Sequence, residues 1–383
     1  MIITLKKTAQ EQVIVNKLYE ELFKSTIDII VEDFRGSGYR IIKEYTRGAS
    51  LGIKRAVLFD ETKFFIKIVE KVARENQVYD NRFYRDNKIF LNKIEKYCFH
   101  PGVLVLPFYE GKCLDEFLFS STTSLSNKIG KIQYILNTTL DLFWLQNIKR
   151  GNNNLIWAEN YIKGRMDSLI NDIDSIEIDD KTIPAADFLS MSVRYLSAGK
   201  KYDLPPIKKM VEDVIILFYN YRPQFTSCVT ADFQPPNIIT SDDGFKHIDL
   251  SNSEANGDIA IDIGKFFNFI TRFYRVSFLR DGVKLGNALK PIFKVNQHNL
   301  SLEIDIAKGN NFKNVAPYIE ERFALKAASL SGDFHLIDRI TLYKFVVNLI
   351  TIRRHLNYRG LQDLLFANLI DSYAEIYDKI LNI

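Results

Sequence analysis

The hydrophobic period of this 383-residue chain shifts from mainly strand-like to mainly helical near residue 110, and that shift limits the folds open to it. Residues 40–45, 53–59 and 63–69 are β-rich runs. A glycine-bearing stretch at 46–52 and an Asp60-Glu61 turn separate them. Three short runs joined by turn chemistry predict an antiparallel meander. A helix is predicted over 74–95, with Val78, Phe83, Ile89, Phe90 and Ile94 at near-helical spacing. A fully apolar strand follows at 103–106, and Pro107 and Gly111 then break regular structure. Beyond that point the period is helical. Ile129, Ile132, Ile135, Leu136, Leu140 and Phe143 share one helix face, as do Leu342, Phe345, Val346, Leu349 and Ile352. The pattern predicts an α+β protein of two lobes, residues 1–110 small and β-rich, residues 111–383 mainly helical. The length, well above the ~150 residues of one domain, fits two lobes.

Composition removes several function classes. Hydrophobic residues at 46% and charged residues at 26% are a globular balance, so most of the chain is expected to be ordered. Lys and Arg exceed Asp and Glu by only four, which gives nucleic-acid binding no support. Cys98, Cys113 and Cys228 are odd in number and lack Cys-x-x-Cys spacing, which excludes a disulfide framework or a zinc knuckle. No apolar run is long enough to span a bilayer. The first seven residues lack the apolar core of a signal peptide, so a cytoplasmic protein is expected.

One stretch of the second lobe departs from helical spacing. Residues 237–240 and 245–250 read as two short strands around Ser241-Asp242-Asp243-Gly244, an Asp-Gly hairpin turn. Asp232, Asn237 and Asp249 then fall at the ends of one ribbon, which brings two carboxylates and an amide oxygen together. Hard oxygen donors of this kind suit Mg²⁺ with phosphate rather than zinc. In the first lobe, Lys67 sits inside Phe65-Ile66-Lys67-Ile68-Val69, where a buried ammonium requires an anion.

The Asp-x-x-x-x-Asn spacing followed by a second Asp resembles the catalytic loop and metal-binding Asp of the protein-kinase-like superfamily. More narrowly, it resembles the aminoglycoside phosphotransferase and choline kinase branch. That branch reads His-Gly-Asp-x-x-x-x-Asn, then Ile-Asp-Phe/Trp, then Gly-Asp-x-x-x-Asp-Leu. Here the three stand as Thr230-Ala231-Asp232 to Asn237, Ile248-Asp249-Leu250, and Gly257-Asp258-Ile259-Ala260-Ile261-Asp262-Ile263. Thr230-Ala231 replaces His-Gly, and Ser251 replaces the glycine after the metal-binding Asp.

The resemblance implies a two-lobed protein-kinase-like fold, ATP or another nucleoside triphosphate, and Mg²⁺. Asp232 would be the catalytic base or the carboxylate that orients the acceptor hydroxyl. Asn237 and Asp249 would hold the metal, while Asp258 would cap the next helix and Asp262 brace the loop. Lys67 would meet the α- and β-phosphates and pair with an acid, for which Asp86 is the first candidate and Glu75 the reserve. Backbone groups around Gly48, Ser50 and Gly52 would cover the phosphates. The connector carrying Phe108 and Tyr109 would bind adenine through its main chain.

Asp262 follows Asp249 by only 13 residues, leaving little room for a segment that docks a polypeptide. A small polar molecule with a hydroxyl is therefore the expected acceptor, with helices between 150 and 220 and after 270 building its pocket. A silent nucleotide-binding scaffold is the alternative, and a protein kinase the third reading. His100 and His247 are scattered and read as structural. The acidic run 171–180 reads as a solvated loop, Arg353-Arg354-His355 as a solvated or salt-bridged face, and Trp157 and Tyr161 as core.

Overall fold

The fold, taken from a computed structural model, is described for residues 9–36, 38–45, 52–150, 174–178, 181–197, 199–272, 292–296, 299–303, 311–355 and 362–381. Strands β1 (Tyr39–Glu44), β2 (Gly52–Phe59), β3 (Thr62–Val69) and β4 (Leu104–Pro107) form one antiparallel sheet in that order. The period of two gives this sheet two unlike faces. Ile53, Val57 and Phe59 of β2 and Phe64, Ile66 and Ile68 of β3 pack with Phe23, Ile27 and Ile30 of a long helix, α1 (Ala9–Asp33). Arg55 fastens that helix by reaching Glu20 on α1 and Glu44 on β1. The meander was expected; α1, which precedes the first β-rich run at 40–45, was not. The other face carries Lys54 opposite Lys67, and Ala56 opposite Phe65.

The helix expected over 74–95 is corrected to three pieces. Helix α2 (Val72–Asp80) ends where Asn81 turns to an extended backbone, and the Asn81 side chain accepts the Phe83 N–H at 3.0 Å. An asparagine that bonds its own backbone competes with helix, and here it wins. Four helical residues follow (Arg82–Arg85), then irregular chain up to Glu95–Tyr97. The apolar residues between serve the lobe junction instead of one helix face. Phe90 joins the second-lobe core, the His247 N–H donates to the Ile89 carbonyl at 2.7 Å, and the Asn87 amide donates to the Leu142 carbonyl at 2.6 Å.

In the second lobe, helices Leu125–Thr139, Ile207–Asn220, Ile259–Thr271, Asn311–Ser331, Leu336–His355 and Gln362–Ile376 surround a core. The faces read from sequence point into it: Ile132, Ile135, Leu136, Leu140 and Phe143 are buried, as are Leu342, Phe345, Val346, Leu349 and Ile352. The region between 150 and 220, expected to add helices, supplies Ala185–Leu189 and Ile207–Asn220, and it carries strands as well. Ser175–Ile178 pairs with Lys181–Pro184, and Ser192–Ser197 joins a four-stranded sheet with Lys200–Leu204, Asn299–Glu303 and Ile292–Asn296. Buried Val193 and Tyr195 alternate with exposed Ser192 and Arg194, a strand period that the reading above passes over. Within the acidic run, Asp174 is exposed, but Ser175–Ile178 is a hairpin strand, not loop. Trp157 and Tyr161 lie outside the described residues; Arg353, Arg354 and His355 close the helix Leu336–His355.

The expected hairpin is present as Ile238–Thr240 against Phe245–His247, closed by the Ser241 N–H on the Gly244 carbonyl at 3.0 Å. Lys112–Cys113 adds a third strand, so the chain pairs with the second lobe directly after the 107–111 connector. The second strand stops short of Leu250, because Asp249 takes a left-handed backbone with φ 61°.

Candidate active site

The loop bearing Asp232 leaves the fully buried strand Phe225–Val229 and is fixed from below by the next helix. Asp262 accepts the Thr230 N–H at 2.8 Å, the Thr230 hydroxyl at 3.0 Å and the Trp144 indole N–H at 3.1 Å. Threonine thus tethers the loop where the resembled branch has histidine. Asp258 caps the helix Ile259–Thr271 by accepting the Ala260 N–H at 3.0 Å, and it also receives Arg339 at 2.7 Å. Arg339, fully buried, holds Asp333 as well.

Ala231 adopts φ 47°, a left-handed conformation that favours glycine, which is what the branch has there. Its carbonyl accepts Lys265 at 2.9 Å. The same Lys265 ammonium lies 2.5 Å from Asp232 Oδ1, which also accepts the Gln234 amide at 3.2 Å. Asp232 Oδ2 accepts the Asn237 amide at 2.9 Å. Asp232 is therefore a buried carboxylate held in one orientation by three side chains. Sequence reasoning missed Lys265. Its signal was the lone cation of the mostly apolar stretch Ile259–Phe269, one turn after Asp262.

At the lobe junction, Lys67 pairs with Glu75 on α2 and with Asp249 at 3.1 Å. Asp86, the first candidate partner, is not there. It caps the short helix after Asn81, stays exposed, and bonds its neighbour Arg85 at 3.0 Å. The correction follows from the break at Asn81, which ends α2 before it can carry Asp86 to the lysine. Glu75, one turn into α2, faces β3 and is itself buried, and it also accepts the Leu250 N–H at 3.3 Å. Burial alone would strip the charge from Lys67, but Glu75 and Asp249 outweigh it and lift the pKa above the ordinary lysine range. Burial likewise pushes Asp249 upward; Lys67, with Lys54 and Ser251, reverses this and brings the carboxyl down to about 2.

The Ile248 N–H donates to the Asn237 carbonyl at 2.9 Å, so Asn237 and Asp249 flank the closing rung of the ribbon. With its amide nitrogen on Asp232, Asn237 leaves its amide oxygen for a cation. Asp249 adds a carboxylate about one-third open to solvent. A neutral amide oxygen and a carboxylate are donor types that fit Mg²⁺. Among the described residues, no cluster of three or more His, Cys, Asp and Glu could hold a metal.

Of the phosphate-covering turn, Gly48 and Ser50 lie outside the described residues. Gly52 opens β2 at φ 133°, where an added Cβ would fall 2.2 Å from the Ile68 carbonyl oxygen. In the connector, the Phe108 N–H is bonded to the Lys63 carbonyl at 3.1 Å, and the Tyr109 hydroxyl meets Ser241 at 2.8 Å. His247 is buried among Phe90, Phe233 and Phe245, and burial takes its pKa down to about 3. His100 closes a turn by accepting the Gly102 N–H at 2.9 Å.

No protein-family model matches the chain, and no curated protein matches it significantly. Solved structures do. Aminoglycoside phosphotransferase APH(4)-Ia superposes over 93% of this chain and 98% of its own, at 11% identity and a TM-score of 0.52. A thermostable mutant of that enzyme, in a ternary complex with ADP and hygromycin B, matches over 92% of this chain and 97% of its own, at 12% identity and a TM-score of 0.51. The mutant's apo form gives 0.52 at 12% identity over 92% of this chain and 98% of its own. At these identities the likeness is one of fold: the chain has the two-lobed protein-kinase-like fold that aminoglycoside phosphotransferases share.

Proposed function

We propose that the protein is a phosphotransferase that moves the γ-phosphate of ATP, or another nucleoside triphosphate, to a hydroxyl of a small polar molecule. One observation carries this reading. The Lys67–Glu75–Asp249 cluster and the Asp232–Asn237 pair meet at the junction of the two lobes, joined through the rung that links Asn237 to Ile248. Asn237 and Asp249 would hold Mg²⁺, which when bound offsets charge on the phosphates. Lys67 would hold the phosphate chain against the sheet, and connector main-chain groups other than the Phe108 N–H would meet the base. Asp232 would align the acceptor hydroxyl and take its proton as the oxygen bonds to phosphorus and the bond to the departing diphosphate breaks. Catalysis in this scheme is positioning and electrostatics.

A nucleotide-binding scaffold without turnover is the second reading, favoured by the ammonium of Lys265 already seated on Asp232 at 2.5 Å. Two measurements separate them. Thermal shift with ATP and Mg²⁺ tests nucleotide binding. An ATP-consumption screen over hydroxylated metabolites, with Asp232→Asn as the control, tests turnover. Stabilisation with acceptor-dependent turnover lost in Asp232→Asn supports the transferase. Stabilisation with no turnover on any acceptor supports the scaffold, and no stabilisation by any nucleotide with Mg²⁺ or Mn²⁺ refutes both.

A further inference from the structure

Lys54 and Lys67 are direct partners across β2 and β3. Cross-strand partners project to the same face of a sheet, so two ammonium groups share the face turned away from α1. Like charges placed directly opposite destabilise a strand pair, and this pair is half-buried at Lys54 and buried at Lys67, where water screens little. The arrangement persists because two carboxylates answer it. Glu75 and Asp249 both touch Lys67. Lys54 feels the same two carboxylates, although burial first and Lys67 second hold its pKa below the ordinary lysine value. If Asp249 turns its charge to a metal ion, Lys67 keeps Glu75, and the two ammonium groups sharing this face can both answer an anion. The neighbouring side chains of that face, Ala56 and Phe65, bring no charge of their own.

From this juxtaposition we propose that Lys54 is a second phosphate-binding residue, which with Lys67 forms a two-lysine clamp that reads the length of the nucleotide's polyphosphate chain. The inference rests on the nucleotide-binding reading above and adds a residue and a selectivity to it. A clamp of two cations discriminates by charge. It favours triphosphate over diphosphate and monophosphate, and it has no purchase on a nucleoside.

The test is equilibrium binding of ATP, ADP, AMP and adenosine with Mg²⁺, and of inorganic tripolyphosphate, to the wild type, Lys54→Met, Lys54→Arg and Lys67→Met. Charge-assisted bonds of this kind set the expected loss of ATP affinity in Lys54→Met at roughly tenfold. AMP should lose less, adenosine nothing, and Lys54→Arg should restore most of the ATP affinity. Thermal unfolding of Lys54→Met without ligand should be unchanged or raised, since the substitution removes a like charge opposite Lys67. Wild-type-like ATP affinity in Lys54→Met, alongside a loss in Lys67→Met, overturns the clamp and leaves the nucleotide site standing. Equal losses for ATP and adenosine overturn it too, because they mark damage to the sheet. Failure of the wild type to bind any of the probes removes both the clamp and the reading beneath it.

Discussion

Exchanging Glu75 for Gln, with Asp86→Asn as its control, tests the first lobe's electrostatics most directly. Glu75→Gln keeps shape and an oxygen for the Leu250 N–H but removes the charge that faces Lys67. Leaving one member of a buried ion pair alone costs about 3–5 kcal/mol. Here Lys67 keeps Asp249 at 3.1 Å, so the loss belongs at or below the lower end, about 2–3 kcal/mol. With an unfolding entropy near 2.1 cal/mol/K per residue over the whole chain, that is a fall in Tm of about 3 °C. Asp86→Asn should shift nothing measurable, because Asp86 and its partner Arg85 are both exposed. Thermal unfolding of the three proteins side by side, followed by ATP titration with Mg²⁺, reads both effects. In the titration, Glu75→Gln should weaken ATP binding while Asp86→Asn leaves it alone, since Glu75 touches Lys67 and Asp86 does not. A Tm loss in Asp86→Asn that matches Glu75→Gln, or an unshifted Glu75→Gln, would refute the placement of Glu75 as the working partner.

Three further outcomes are expected. Arg339→Met strands two buried carboxylates, Asp258 and Asp333, and should cost about 3–5 kcal/mol, seen as a lower urea midpoint; Arg339→Lys should recover only part of it. Gly257→Ala places a Cβ 2.2 Å from Val229 Cγ2 in a buried strand pair, and overpacking of that kind should cost about 1–3 kcal/mol by the same measurement. His247 is neutral in the fold with a pKa near 3 against 6.5 when unfolded, so the unfolded chain gains the proton first as pH falls. Stability should be full above about pH 6.5 and drop by about 1.4 kcal/mol per unit below it. Urea curves at pH 7.5 and 5.5 should show a smaller drop in His247→Gln, and equal drops would exclude His247 as the cause.

Much of this site was legible in the sequence, and the misses share a physical cause. Asp232, Asn237 and Asp249 could be brought together on paper because a hairpin turn is local: Ser241 to Gly244 alone sets the return of the chain. Lys67 was legible from its buried neighbours. The choice between Asp86 and Glu75 turned on one side chain, that of Asn81, whose bond to the Phe83 N–H ends α2. Periodicity could not see it, since Val78, Phe83, Ile89 and Phe90 are all inward-facing for reasons unrelated to a common helix. Lys54 and Lys265 were missed because their meaning is tertiary. Lys54 matters only once β2 is in register with β3, and Lys265 only once its helix lies beneath Ala231 and Asp232. The β-rich insertion around Ser192–Ser197 was open to the same period-two test that found the first meander.

Charge within the site is close to balanced as well. Lys54, Lys67 and Lys265 stand among Glu75, Asp232 and Asp249, three positive against three negative groups, so the apo site is close to balanced. Such balance is what allows charges to be buried without a ligand: Lys67 and Lys265 each have a carboxylate at contact distance. It also sets what can bind. A polyanion alone would meet Asp249 and Asp232, a metal ion alone would meet the lysines, and only the two together leave the account level. A site so arranged should bind nucleotide weakly without divalent cation and divalent cation weakly without nucleotide. Comparing ATP titrations in EDTA and in Mg²⁺ measures that coupling, and equal affinity in both would show that the carboxylates on this face have another task.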